Sequence, residues 1–229
     1  MGQRNNKKRE EKAPEKKSGK FWYVAVVAIL VLAIFGIYKL VAGSSGEAND
    51  PLTLTEDERM SGPDTAKVTI IEYSDFQCPA CAVFSAEVKK LREEFPNDVR
   101  VVFRHYPLKQ LHPQAERPSK AAEAAHRQGK FWEMHYKIYE NQQTWSQMNN
   151  MEVEFEKYAK ELELNIDDYR AAYEDKSIQD KLDADRKSGY KLTIDATPTF
   201  YINGKKLENN PRSYAEFKEL IEQTIQDKS

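Results

Sequence analysis

The chain has 229 residues, 40 % of them hydrophobic and 31 % charged, with a net charge of −2. That is enough apolar material for one large domain or two small ones, each with a real core. Eight Lys/Arg against three Glu in residues 1–20 leave the remainder at net −7, and a mildly acidic body without a basic stripe argues against nucleic acid as a partner.

Residues 1–20 are basic, polar and nearly free of apolar side chains, the composition of a disordered tail. From Phe21 to Tyr38 run 18 uncharged, mostly apolar residues, followed by Lys39 and Leu40-Val41-Ala42. A helix of that length reaches about 27 Å, close to a bilayer core. Phe21-Trp22-Tyr23 and Tyr38 suit its two interfaces, and Lys39 can snorkel. The pattern predicts one N-terminal transmembrane helix over 21–42, acting as a signal anchor. The basic tail would be cytoplasmic, and the body, after Glu47, Asp50 and Glu56, outside. A cleaved signal peptide ending near Ala42-Gly43 is the alternative, although such apolar cores are usually about 7–15 residues long. Residues 43–60, opening on Gly43-Ser44-Ser45-Gly46, are predicted to be a flexible linker.

Gly62-Pro63-Asp64 then turns the chain into Val68-Thr69-Ile70-Ile71, a β-branched run of the kind a doubly buried strand shows. The strand ends at Ser74-Asp75, and Cys78-Pro79-Ala80-Cys81 follows. Pro79 fits the first turn of a helix, since its missing N–H costs nothing there and its φ is already helical. Cys78 would then be the N-cap, facing free N–H groups and the positive end of the helix dipole, which favour thiolate over thiol. Cys81 lies one turn further in, within reach of any mixed disulfide at Cys78. The same spacing is half of a zinc site. Zinc needs two more ligands, and the chain has no third cysteine and no histidine pair at i, i+4 spacing. Two buried structural cysteines are the other alternative, against which stands the exposed end that a Cys-Pro start gives the first sulfur.

The helix after Cys78 is predicted to run to Phe95-Pro96, with Val83, Val88 and Leu91 inward. A second strand over Val99–Tyr106 completes β-α-β, with a right-handed crossover and a parallel pair. Residues 114–188 read as helical throughout: an alanine-rich helix to Gly129, then Phe131, Met134, His135, Ile138 and Phe155, Tyr158, Ala159, Leu162 at helical spacing. This stripe reads as core, and His135 on it as a packed histidine. Ser177 with Asp180 marks a further helix start and Gly189 its end. Thr197 to Ile202, Asn203-Gly204 and Lys205-Lys206-Leu207 read as a hairpin with a type I′ turn. Ser213 and Glu216 then form a capping box for a last helix with Phe217, Leu220 and Ile221 inward.

EYSDFQCPAC, FRHYPL with His112-Pro113, AAEAAHRQGKFWEMH and TPTFYING together resemble the DsbA-like branch of the thioredoxin superfamily, over roughly residues 60–227. The resemblance implies an α/β thioredoxin fold (β-α-β, then β-β-α) over 61–229 with a helical insertion at 114–188, and thiol–disulfide exchange as its activity. It implies Cys78 as nucleophile, Cys81 as resolving thiol, and a cis proline at Pro198 facing the site; from the residues alone, Pro198 is equally an edge-strand proline. Glu72, six residues before Cys78, matches an acid found in several members. It either points inward with Val68 and Ile70, where burial would raise its pKa and let it relay the proton of Cys81, or lies at the strand's exposed end. Two positions depart from the strongest oxidases of the family: Ala80, where those carry histidine, and Thr197 before the proline.

The expected function is that of a disulfide oxidase for secreted or surface proteins. A reductase or isomerase of the same fold, or a non-catalytic binding or chaperone module, are the alternatives. The redox-active dithiol would serve without cofactor or metal. Expected partners are reduced or unfolded clients, a quinone-linked membrane re-oxidase, and the membrane itself through the N-terminal helix. With residues 1–60 spent on tail, span and linker, no dimerisation domain is expected, and the protein is read as a monomer. The expected location is the bacterial cell membrane, single-pass, with an extracytoplasmic catalytic domain.

Overall fold

The computed structural model describes residues 20–42 and 50–228, so the basic tail and the Gly-Ser opening of the linker lie outside the described residues. The chain divides into two units, 1–49 and 50–229. In the first, one helix, α1 (Lys20–Ala42), covers the predicted span. Among the described residues, however, no helix is long and apolar enough to cross a membrane. The transmembrane helix is therefore not supported, and the single-pass location with an extracytoplasmic catalytic domain, which rested on it, is withdrawn.

The second unit is built on a five-stranded sheet of order β1-β3-β2-β4-β5. Its centre is β2 (Val68–Ser74), parallel to β3 (Val99–His105) with Ile70 opposite Val101, and antiparallel to β4 (Thr199–Ile202) with Ile71 opposite Tyr201. The β-branched run predicted this burial on both faces. On one face Val68 and Ile70 pack with Val88 and Leu91 of α2 (Pro79–Glu94) and with Phe217 and Ile221 of α9 (Tyr214–Gln226). On the other, Ile71 and Tyr73 pack with Val102, Tyr106, Ile194 and Tyr201. The hairpin to β5 (Lys205–Lys206) turns through Asn203 and Gly204 at φ 49° and 81°, the positive pair a type I′ turn requires. Ser213 caps α9 as predicted, through a bond from the Glu216 N–H, but the Glu216 carboxylate reaches back to the N–H of Arg212 rather than of the cap residue.

Between β3 and β4 stand α3 (Glu116–His126), α4 (Phe131–Glu140), α5 (Gln142–Trp145), α6 (Glu152–Glu161), α7 (Ile166–Tyr173) and α8 (Lys176–Lys191). Helix α8 is capped by Asp175, two residues before the predicted Ser177, and runs past the predicted stop at Gly189. That glycine serves close packing instead: a Cβ there would stand 2.4 Å from the Tyr106 ring.

The linker expected over 43–60 is not free along its length. Leu52 and Leu54 pack on the sheet, and β1 (Arg59–Ser61) adds an antiparallel edge to β3. Its anchors are charged and buried. The Arg59 guanidinium donates to Glu123 at 2.8 Å, and the Glu123 carboxylate bonds His105 Nε2 at 2.7 Å. Nearby, Arg104 pairs with Glu58 at 2.6 Å. Burial alone would raise the Glu123 pKa, but His105 and Arg59 outweigh it and hold the carboxyl at about 2.

Candidate active site

Tight local structure sets the first sulfur. The Asp75 carbonyl accepts from the Cys78 N–H at 3.0 Å, closing a turn between β2 and α2. Cys78 is the N-cap of α2 with extended backbone (φ −73°, ψ 122°), and Pro79 opens the helix. The Asp75 carboxylate fixes the flanking loops, accepting from the N–H groups of Gln77 (2.7 Å) and Leu108 (2.8 Å) and bonding His112 Nδ1 at 2.8 Å. From α5, the Gln142 amide donates to the carbonyls of Phe76 (2.7 Å) and Cys78 (2.9 Å). The turn that presents Cys78 is thereby held from three sides.

Both thiols are free, and their environments differ sharply. The Cys78 pKa is lowered to about 5, chiefly by a hydrogen bond from the Cys81 side chain. The Cys81 and Ala80 N–H groups add to this, against partial burial; these are the unsatisfied donors of a helix N-terminus. The Thr197 carbonyl accepts from the Cys78 thiol at 3.4 Å. Once that proton leaves, the sulfur is purely an acceptor, and the Thr197 side chain then favours the thiolate. Cys81, fully buried, is raised well above its ordinary value. Burial is the main cause, followed by its bond to Cys78 and the charges of Cys78 and Glu72. Between the two sulfurs, one is set to ionise and the other to stay protonated.

Glu72 points inward, 2 % exposed. Burial raises its pKa to about 7, the Cys78 charge adds to this, and a hydrogen bond from Ser74 opposes it. The Ser74 hydroxyl donates to Glu72 Oε1 at 2.7 Å and bonds the Tyr139 hydroxyl at 2.9 Å. The Thr197–Pro198 peptide bond is cis, and the Pro198 carbonyl accepts from the Asn210 amide at 2.8 Å. The structure thus brings Cys78, Cys81 and Thr197 into one cluster, with Pro198 beside Thr197 and Glu72 behind Cys81. His135 is buried among Phe103 (centroids 4.8 Å apart), Tyr139 and Trp132, with neither ring nitrogen bonded; burial lowers its pKa to about 3, so it is neutral.

Sequence reasoning missed Ser74, Tyr139 and Gln142. Ser74 had a signal, since it shares a strand face with Glu72 two residues away. Tyr139 and Gln142 had none: both reach the site from more than sixty residues along the chain. Among the described residues no three His, Cys, Asp or Glu gather to hold a metal.

A family model described as Thioredoxin matches residues 54–223. Among solved structures, the chain is similar to α-DsbA1 of Wolbachia pipientis (TM-score 0.69, 21 % identity, 80 % of this chain and 98 % of that one). BdbD of Bacillus subtilis gives TM-score 0.65 at 26 % identity, over 74 % and 93 %. Among curated proteins it is similar to a protein named Na(+)/H(+) antiporter NhaA 3 in Salinispora tropica, at 34 % identity over 149 residues. A second, named Na(+)/H(+) antiporter NhaA in Herminiimonas arsenicoxydans, is 30 % identical over 199 residues. The matches take in 65 % and 81 % of this chain but only 22 % and 31 % of those relatives.

Proposed function

This chain belongs to the thioredoxin family, and from that premise we propose that it is a thiol–disulfide oxidoreductase working as an oxidase of reduced or unfolded proteins. The observation that carries the reading is the pair of sulfurs one helical turn apart, Cys78 lowered to about 5 and Cys81 raised. BdbD, a protein of this fold at 26 % identity whose structure is described as oxidised, supports it. The antiporter name of the curated relatives is not carried over, since their match covers only the thioredoxin-like region.

In the oxidising direction a client thiolate attacks Cys78 Sγ of the Cys78–Cys81 disulfide. The S–S bond breaks, and Cys81 leaves as a thiolate and takes up a proton. A second client thiolate then attacks the client sulfur of the mixed disulfide, and Cys78 leaves with its electron pair. The client gains a disulfide and the protein holds the dithiol. An acidic leaving thiol departs faster and stabilises the reduced protein, which makes the disulfide the better oxidant. Ala80 adds no positive charge beside Cys78, so helix N–H groups and Cys81 supply the stabilisation. A quinone-linked protein is the proposed acceptor that restores the disulfide.

Three measurements test the reading. Cys81→Ser is expected to accumulate mixed disulfides with client proteins and Cys78→Ser to form none; equal trapping by both would overturn the assignment of roles. For direction, the oxidised protein should form disulfides in a reduced, unfolded model protein, and acid-quenched alkylation of cells should find the pair mostly as disulfide. A pair found mostly as free thiols would overturn the oxidase direction in favour of reductase or isomerase.

A further inference from the structure

Whichever direction the exchange runs, Cys81 must gain or lose a proton in a place water does not reach, because it is fully buried. The Glu72 carboxylate is buried too, its charge acting on the Cys81 thiol, and the Ser74 hydroxyl bonds the one while favouring the thiolate of the other. Ser74 ends β2, its carbonyl fixed by the Tyr106 N–H at 2.8 Å. Its side chain donates to Glu72 Oε1 at 2.7 Å and bonds Tyr139 Oη at 2.9 Å, and it lies near enough to Cys81 to favour that residue's thiolate.

We propose that Ser74 is the proton relay between the Cys81 thiol and the Glu72 carboxylate, with Tyr139 positioning its hydroxyl. The inference rests on the thiol–disulfide exchange reading and adds a residue and a route to it.

A serine hydroxyl has one proton to give and two lone pairs to receive. In the mixed disulfide, where Cys78 carries no charge to hold the Cys81 proton, Ser74 accepts from the Cys81 thiol and from Tyr139 and donates to an ionised Glu72. With Cys81 ionised and Glu72 protonated, it accepts from Glu72 and Tyr139 and donates to the sulfur. Three partners satisfy it in both states, and passing between them needs only two proton hops and no heavy-atom movement. Tyr139 donates in both states, since burial, with the charges of Cys81 and Glu72, holds its own pKa well above the ordinary value. A buried hydroxyl short of one partner would be destabilised in one of the two states. When Cys81 attacks a mixed disulfide at Cys78, the new bond is Cys81–Cys78 and the bond that breaks is Cys78 to the client sulfur. The client leaves as a thiolate, and the thiol proton of Cys81 ends on Glu72 through Ser74.

An aromatic disulfide, dithio-bis(nitrobenzoate), separates the steps in one stopped-flow trace. Reduced protein releases a first coloured thiolate when Cys78 attacks and a second when Cys81 resolves the mixed disulfide. For Ser74→Ala the first phase is expected within about twofold of wild type and the second to be about a hundredfold slower or more, the low end of what general acid–base catalysis contributes. The second phase of wild type should level off near neutral pH, and that of Ser74→Ala should keep climbing with pH as hydroxide takes over. Ser74→Thr, which keeps the hydroxyl, should restore the second phase. An unchanged second phase in Ser74→Ala, or slowing shared equally by both phases, would overturn the relay. So would a folded Ser74→Thr that stays as slow as Ser74→Ala. If Ser74→Ala does not fold, Tyr139→Phe carries the same test: slowing of the second phase alone supports the relay, and an unaffected second phase overturns it. Absence of the first phase in wild type is the separate signature of a failed exchange reading.

Discussion

Changing pH across the Cys78 titration should change the stability of the reduced protein relative to the oxidised one, by an amount the structure fixes. Cys78 falls from an ordinary value of 9.0 to about 5 in the folded dithiol. A depressed pKa stabilises the folded state fully above the unfolded value and loses that contribution as pH falls through the folded one. At pH 7 about two pKa units of the shift are expressed, roughly 2.7 kcal/mol at 1.36 per unit. At pH 5 only about 0.4 kcal/mol remains, so the calculated change between the two is about 2.3 kcal/mol. The residue is 7 % exposed, and dielectric relaxation around the helix end trims this to about 1–2 kcal/mol. In the disulfide the term is absent, while the short Cys78–Cys81 loop adds about 2 kcal/mol by restraining the unfolded chain at either pH. Guanidinium unfolding of both redox forms at pH 7 and pH 5 gives the comparison, because subtracting the two forms removes groups common to both, such as Glu123 and His135. The reduced form should lose about 1–2 kcal/mol relative to the oxidised form on going to pH 5. A difference flat within about 0.5 kcal/mol, or one moving the other way, would refute the assignment of the thiolate to Cys78.

Two further outcomes follow from burial. Glu72 has its folded pKa raised from 4.5 to about 7, so it stabilises the fold below the unfolded value and loses that contribution as pH rises through 7; Glu72→Gln should therefore gain up to about 3 kcal/mol over wild type at pH 8 and less than about 1 at pH 5 by denaturant unfolding, while slowing resolution by Cys81. Gly189→Ala should destabilise by about 1–2 kcal/mol in the same assay, because overpacking against Tyr106 costs about 1–3 and exceeds the helix-propensity gain of up to about 1; the ring cannot swing away, since its hydroxyl is tied to the Ile194 carbonyl at 2.6 Å.

What could be read from the sequence was what short-range physics decides. Pro79 after Cys78 marked a helix start, Asn203-Gly204 a turn needing two positive φ angles, and Val68 to Ile71 a doubly buried strand. Glu72 stayed open between inward and exposed because the strand's end could not be placed, and Ser74 closing β2 turned it inward. β1 was hidden because it is three residues long and anchored by Glu58 and Arg59, charges that read as solvent-facing until Arg104 and Glu123 supply their partners. Gly189 looked like a stop because its real constraint is the Tyr106 ring, more than eighty residues upstream. The membrane span was read from the apolar composition of one segment, and among the described residues no helix is long and apolar enough to bear it out.

The helical insert is a working part of the redox site. Phe76, Cys78 and Cys81 belong to the same core cluster as Ala121, Met134, Ile138 and Tyr139, so the burial that raises Cys81 comes in large part from outside the β-α-β unit. Gln142 of α5 holds the carbonyls on both sides of the Cys78 turn, and Tyr139 of α4 holds Ser74. The low pKa of Cys78, by contrast, rests chiefly on the Cys81 thiol and then on the Cys81 and Ala80 N–H groups, all within α2, with Thr197 adding to them. A β-α-β unit stripped of the insert would keep an acidic first thiol, but its second thiol would lose burial and become easier to ionise. Two sulfurs three residues apart have no intrinsic reason to differ. The helix end lowers one, the insert raises the other, and directional exchange requires both.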